Sequence, residues 1–165
     1  MENDQETEEI TKLVIGYGTF IIKSANGDVR FNKIGVAKIK DFFRLYHPRF
    51  QHLFGYWYPF AIEKKHASFK ALVYEVTEKD LVSLDEYEGV PGLFQRITCN
   101  ISLHGEDKEA ELYIPSDYTQ IRLREDIDEY FSEREKKELY KRDYWLEYLQ
   151  IHHKYLEDLY PELFI

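Results

Sequence analysis

The sequence predicts an α+β fold: a small, mixed but mostly antiparallel β-barrel with flanking helices and a C-terminal helical tail. Three observations carry this reading. Segments rich in β-branched and aromatic residues recur between residues 13 and 114. One short stretch of helical periodicity interrupts them at about residues 78–87. After Pro115 strand signals stop and helix signals take over. Strands first and helices afterwards mark an α+β domain rather than a doubly wound one.

Residues 13–22 read LVIGYGTFII and predict a buried first strand running into a tight turn at the Tyr-Gly break. Residues 24–28 (SANGD) form a turn, with Asn26-Gly27 its sharpest signal. Apolar residues from Ile34 to Ile39 predict a second strand. Residues 47–58 are aromatic and irregular, and Pro59 ends them. Residues 69–76 (FKALVYEV) are the clearest strand. Thr77 is then a good N-cap with Asp80 three residues on, and Leu81, Leu84 and Tyr87 recur at helical spacing. Gly89 fits the stop of that helix. Residues 93–103 and 110–114 predict two more strands, joined by the charged turn at 105–108 as an antiparallel hairpin. In the tail, Ser132 with Glu135 forms a capping box. Leu139, Leu146, Leu149, Leu156 and Leu159 describe one long amphipathic helix ending before Pro161. Residues 1–10 are expected to be a flexible acidic tail, 11–120 the barrel domain, and 121–165 a helical extension packed on the same domain.

Composition narrows the function. The chain has 165 residues, 44% of them hydrophobic, enough for one core. A net charge of −9 speaks against a partner that is a nucleic acid. The apolar runs fall far short of the ~20 residues of a membrane span. With the lone Cys99 and no basic, apolar leader, a cytoplasmic protein is expected. Cys99 itself reads as a small buried apolar residue.

Two places stand out chemically. Tyr17-Gly18-Thr19-Phe20 interrupts a β-branched strand. Either it is a bulge or kink, or it exposes backbone N–H groups that cradle an anion or carbonyl oxygen. Asp85, Glu86 and Glu88 crowd the end of the short helix, where negative charge opposes the helix dipole. Either they are ordinary surface acids, or one has a raised pKa and exchanges protons near neutrality. The histidines at 47, 52, 66, 104, 152 and 153 lack metal-binding spacing, so no metal is expected.

The ordered set of motifs resembles the gamma-glutamylcyclotransferase-like (AIG2-like) superfamily. The first strand ends in YGTF, similar to that family's YGS or YGT signature. Tyr58 to Ile62 (YPFAI) resembles its Tyr/Phe-Pro-Ala segment, and the stretch through Leu84 to Gly89 its LDxxEG. Phe94-Gln95-Arg96 resembles its YxR, and Tyr113 the tyrosine of its next strand. The match covers about residues 13–118. Ala71, Phe94 and Phe20 depart from the family's usual Gly, Tyr and Asn or Leu. The resemblance implies that Glu88 is the general acid/base. It implies that Tyr17, Gly18, Thr19, Phe20 and Tyr113 hold the substrate's gamma-glutamyl part. It also implies release of 5-oxoproline without a cofactor. A non-catalytic binding module on the same fold is the alternative, and a homodimer is a possible assembly.

Overall fold

A computed structural model describes residues 10–27 and 31–165. The acidic segment at residues 1–9, and Asp28 of the expected turn, lie outside the described residues.

Five strands close into a barrel in the order β1, β3, β2, β4, β5: β1 is Thr11–Gly16, β2 Asn32–Leu45, β3 Phe60–Thr77, β4 Phe94–Leu103 and β5 Glu106–Pro115. Every pairing is antiparallel except β1 with β5, which closes the barrel in parallel at Val14 and Glu111. Alternation along each strand sends successive side chains to opposite faces. Ile15, Ala37, Ile39, Val73, Ile101 and Leu112 belong to one buried cluster that draws on all five strands and on no helix, so it fills the barrel. Val14, Leu72, Tyr74 and Val76 belong to a second cluster shared with the helices.

The first strand stops earlier than expected. β1 ends at Gly16, and residues expected to form a strand and turn instead form a helix, α1, Thr19–Ala25. Phe20 and Ile21 are adjacent in that helix and both buried, and Phe20 packs against Tyr74 at 5.0 Å between ring centroids. Here tertiary packing overrides the β propensity of a Thr-Phe-Ile-Ile run. Gly16 permits the close approach, because a Cβ there would lie 2.6 Å from the Tyr74 ring.

Both long strands exceed their expected bounds. β2 continues past Ile39 to Leu45 through a bulge at Asp41, whose φ is 65°, and β3 begins at Phe60 rather than 69. The irregular aromatic stretch contains a short helix, α2, Arg49–Phe54, with Phe50 fully buried. The β4–β5 turn is His104-Gly105, not the charged residues after it: both have positive φ, 53° and 80°, which suits a two-residue hairpin.

Helix α3, Glu78–Tyr87, lies within one residue of its expected bounds, and both halves of the Thr77–Asp80 capping box are formed. The tail is not one long helix. It is α4 (Asp117–Tyr130), α5 (Glu133–Lys141), α6 (Tyr144–His152) and α7 (Tyr155–Leu159), then a single 3-10 turn. Ser116, Ser132 and Asp143 each cap a new helix, while Phe131 and Arg142 take extended backbone angles between them. Short helices with turns wrap a curved barrel better than one rod. They bury Leu123, Leu139, Trp145, Leu149 and Leu156 against the outer face of the barrel. Leu159, expected on the apolar stripe, is 49% exposed.

Candidate functional site

β1 and β5 end at one rim of the barrel, β4 begins there, and Tyr58-Pro59 lead into β3 beside it. A cavity of about 300 Å³ opens at this rim. Residues 17–20, Glu88 and Tyr113 all line it, so the fold brings every site residue expected from the sequence to one cavity. Tyr58, Leu93 and Phe94 complete its apolar wall.

Glu88 owes its place to the end of α3. It is the C-cap residue, at φ −80° and ψ −4°, and its N–H donates to the Leu84 carbonyl at 2.8 Å. Gly89, at φ 71°, then turns the chain away in a conformation a side chain would disfavour. Leu81 and Leu84 anchor the helix in the core, so the carboxyl is delivered by a fixed element. Glu88 is half-buried. Burial raises its pKa to about 7, and nearby Lys23 of α1 pulls in the opposite direction. The Lys23 ammonium itself lies 3.9 Å from the centre of the Tyr87 ring.

The 17–20 segment joins β1 to α1. Gly18 is the N-cap of α1 and offers no side-chain cap, so the N–H groups of Thr19 and Phe20 have no intrahelical partner. The Tyr17 ring is buried in the barrel cluster. Its hydroxyl donates to the Tyr113 carbonyl at 2.5 Å and accepts from the Ala61 N–H at 3.3 Å. Burial, with Glu88 adding to it, pushes that phenol well above its ordinary range. The Tyr17 hydroxyl thus ties three strand segments together and remains protonated.

Tyr113 lines the cavity and donates its hydroxyl to Asp85 Oδ1 at 2.7 Å. Arg96 grips the same carboxylate with Nε at 2.8 Å and Nη2 at 3.2 Å, and reaches Glu111 with Nη1 at 2.5 Å. Thr98 donates to the other Glu111 oxygen. Burial alone would raise Asp85, but the bonds from Arg96 and Tyr113 outweigh it and hold the group below the usual carboxylate range. Of the acidic trio, then, Asp85 is an ionised brace for Tyr113, Glu86 is exposed, and Glu88 faces the cavity. Sequence reading missed the brace because its partners lie on α3, β4 and β5, with no local spacing to join them. Cys99, expected to be buried, is half-buried in β4; burial first and then Glu111 push its thiol up to about 11. Among the described residues no group of three or more metal-ligating side chains converges, and no helix is long and apolar enough to cross a membrane.

The family model described as gamma-glutamyl cyclotransferase, AIG2-like, matches residues 14–146, and the chain belongs to that family. The match runs beyond the motif region into the first turn of α6. Similar solved structures include an Arabidopsis thaliana protein determined in solution, with TM-score 0.53 and 19% identity over 73% of this chain and 88% of that one. A protein named gamma-glutamyl cyclotransferase has TM-score 0.52 and 17% identity, covering 80% of this chain and 87% of its own. An AIG2-like protein from Mus musculus has TM-score 0.50 and 17% identity, covering 66% and 78%. At such identities the likeness establishes the fold. No curated protein matches the chain by sequence.

Proposed function

We propose that the protein is a gamma-glutamyl cyclotransferase that releases 5-oxoproline from a gamma-glutamyl amine, amino acid or peptide, with Glu88 as general acid/base. The observation that carries the reading is a half-buried carboxyl, raised to about 7, in a cavity also lined by Thr19 and Phe20, whose N–H groups open α1 without an intrahelical partner. A carboxyl poised near neutrality both takes and returns a proton efficiently.

In this mechanism Glu88 accepts a proton from the substrate's alpha-ammonium group. The freed amine attacks the gamma-carbonyl of the same molecule, so proximity is built into the substrate. N–H groups of residues 18–20 steady the oxyanion as the C–N bond of the ring forms. Glu88 then returns its proton to the leaving nitrogen, the old amide bond breaks, and the ring nitrogen passes its second proton by way of Glu88 to the departing amine, so that 5-oxoproline and an ammonium product leave. Tyr17 shapes the cradle through its fixed backbone, and Tyr113 supplies wall. No step calls for a metal or an organic cofactor.

A binding module without turnover is the second reading, favoured by a plugged pocket or a Glu88 turned to solvent. Against it, Phe20 and Phe94 stand as walls of an open cavity, Trp57 is exposed and outside it, and Glu88 faces in. The test is 5-oxoproline release from a panel of gamma-glutamyl compounds. Turnover with a rate limb near pH 7 is expected. Saturable binding without release from any compound would select the second reading.

A further inference from the structure

Arg44 is a permanent cation of β2 whose side chain is wholly withdrawn from solvent, a rare position unless a partner offsets the cost. Its Nη1 donates to the Tyr17 carbonyl at 3.2 Å, and Nη2 donates to the Lys70 carbonyl of β3. The guanidinium carbon lies 4.8 Å from the centre of the Phe69 ring. Among the described residues its Nε has no hydrogen-bond partner, and it faces Asp143 Oδ2 at 3.7 Å. Among the described residues, Asp143 is the one carboxylate within ion-pair distance of Arg44. Burial lowers the Arg44 pKa, while Asp143 and then Tyr17 draw it back up.

Two features make this more than core filling. β1 ends at Gly16, so the Tyr17 carbonyl has left the ladder and takes its hydrogen bond from Arg44 instead. The residues that follow it line the cavity. The counter-charge, by contrast, comes from the helical extension. Asp143 uses Oδ1 to cap α6, accepting the Leu146 N–H at 3.1 Å, and turns Oδ2 to Arg44. One carboxylate therefore orders a tail helix with one oxygen and balances the buried cation with the other.

We infer that Arg44 and Asp143 are a positioning pair through which the C-terminal extension sets the backbone of the 17–20 loop, and with it substrate affinity. The affinity part rests on the reading of that loop as the substrate cradle; the loop-setting part does not. Arg44 touches no reacting atom. It fixes the carbonyl from which the loop departs, and Asp143 keeps Arg44 in place.

Two variants test the pair. Asp143→Asn keeps a side-chain oxygen for the α6 cap, since Asn caps as well as Asp, but removes the counter-charge. The double variant Arg44→Met with Asp143→Asn removes both charges, and replacing a buried ion pair by apolar packing is often neutral for stability. Amide NMR of each folded variant is the first readout. Gly18, Thr19 and Phe20 resonances are expected to shift, with exchange accelerated about tenfold or more, while the β4–β5 hairpin stays unchanged. Loop amides at wild-type positions and exchange rates in either folded variant would overturn the inference. The second readout is KM for 5-oxoproline release, expected to rise about tenfold with a smaller change in kcat, because a shifted cradle weakens binding first. A wild type without release refutes the function and leaves the NMR arm to judge the pair. An unchanged KM beside shifted amides would reject the affinity role alone.

Discussion

Glutamine at position 88 is expected to stabilise the protein, and to do so in a pH-dependent way. The Glu88 carboxyl sits at about 7 in the folded state against 4.5 for the ordinary group, chiefly through burial. As pH rises through 4.5 the unfolded chain loses this proton first, while the folded chain keeps it until about 7. Across that window the unfolded state binds fewer protons, so wild-type stability falls with rising pH and stays lowered above 7. The gap between 4.5 and about 7 is worth roughly 3 kcal/mol. Water in the open cavity and the loss of Lys23's partner reduce the expected gain for Glu88→Gln to about 2 kcal/mol. Glutamine keeps the shape and cannot ionise, so its advantage should be near zero below about pH 4.5 and full at about pH 8. For a chain of this length, about 2 kcal/mol corresponds to a rise in Tm of roughly 4–8 °C. Thermal or urea unfolding of both proteins at the two pH values measures it. A variant equally or less stable than wild type at about pH 8 would refute the claim that the fold holds this carboxyl at a cost. So would a difference of the same size at both pH values.

Three further perturbations separate bracing from chemistry. Tyr17→Phe leaves the Tyr113 carbonyl and the Ala61 N–H without their buried partner, so a loss of about 2 kcal/mol in urea unfolding is expected. A retained rate limb near pH 7 would accompany it if the phenol takes no part in proton transfer. Asp85→Ala strips Tyr113 and Arg96 of their shared carboxylate and is expected to cost about 2 kcal/mol at neutral pH. Because Asp85 is held below the ordinary range, that difference should vanish in acid, as wild-type Asp85 itself becomes protonated. Gly16→Ala drives a methyl to within 2.6 Å of the Tyr74 ring and should lower stability by about 1–3 kcal/mol. An unchanged Tm would show that Tyr74 yields freely.

Local signals were legible in the sequence where one segment carried its own information. Helix α3 was, since Thr77, Asp80 and the Leu81–Leu84 spacing all lie within it. So was the β4–β5 pairing, whose two strands are adjacent in the chain. Glu88 and the 17–20 loop were found through ordered motifs, and the fold then brings them to one cavity. What stayed hidden depends on distant partners. α1 exists because Phe20 and Ile21 find a buried surface that includes Tyr74, a contact no window around Thr19 contains. The tail divides into short helices because its apolar residues follow a curved barrel, and the leucine periodicity alone reads as one rod. The braces on Tyr113 and Tyr17 join residues from 11 to 96 positions apart. Charge counts and spacing carry no trace of such pairings.

Whether Glu88 moves the proton in an intramolecular ring closure is decided by measuring 5-oxoproline release by wild type and Glu88→Gln over the same gamma-glutamyl panel, with folding of both confirmed by unfolding curves. Release by the wild type from at least one compound is expected, together with a fall of about 10²–10⁴ in kcat for the folded variant and a KM little changed. Turnover retained by Glu88→Gln, or no release by the wild type from any compound, would contradict that role.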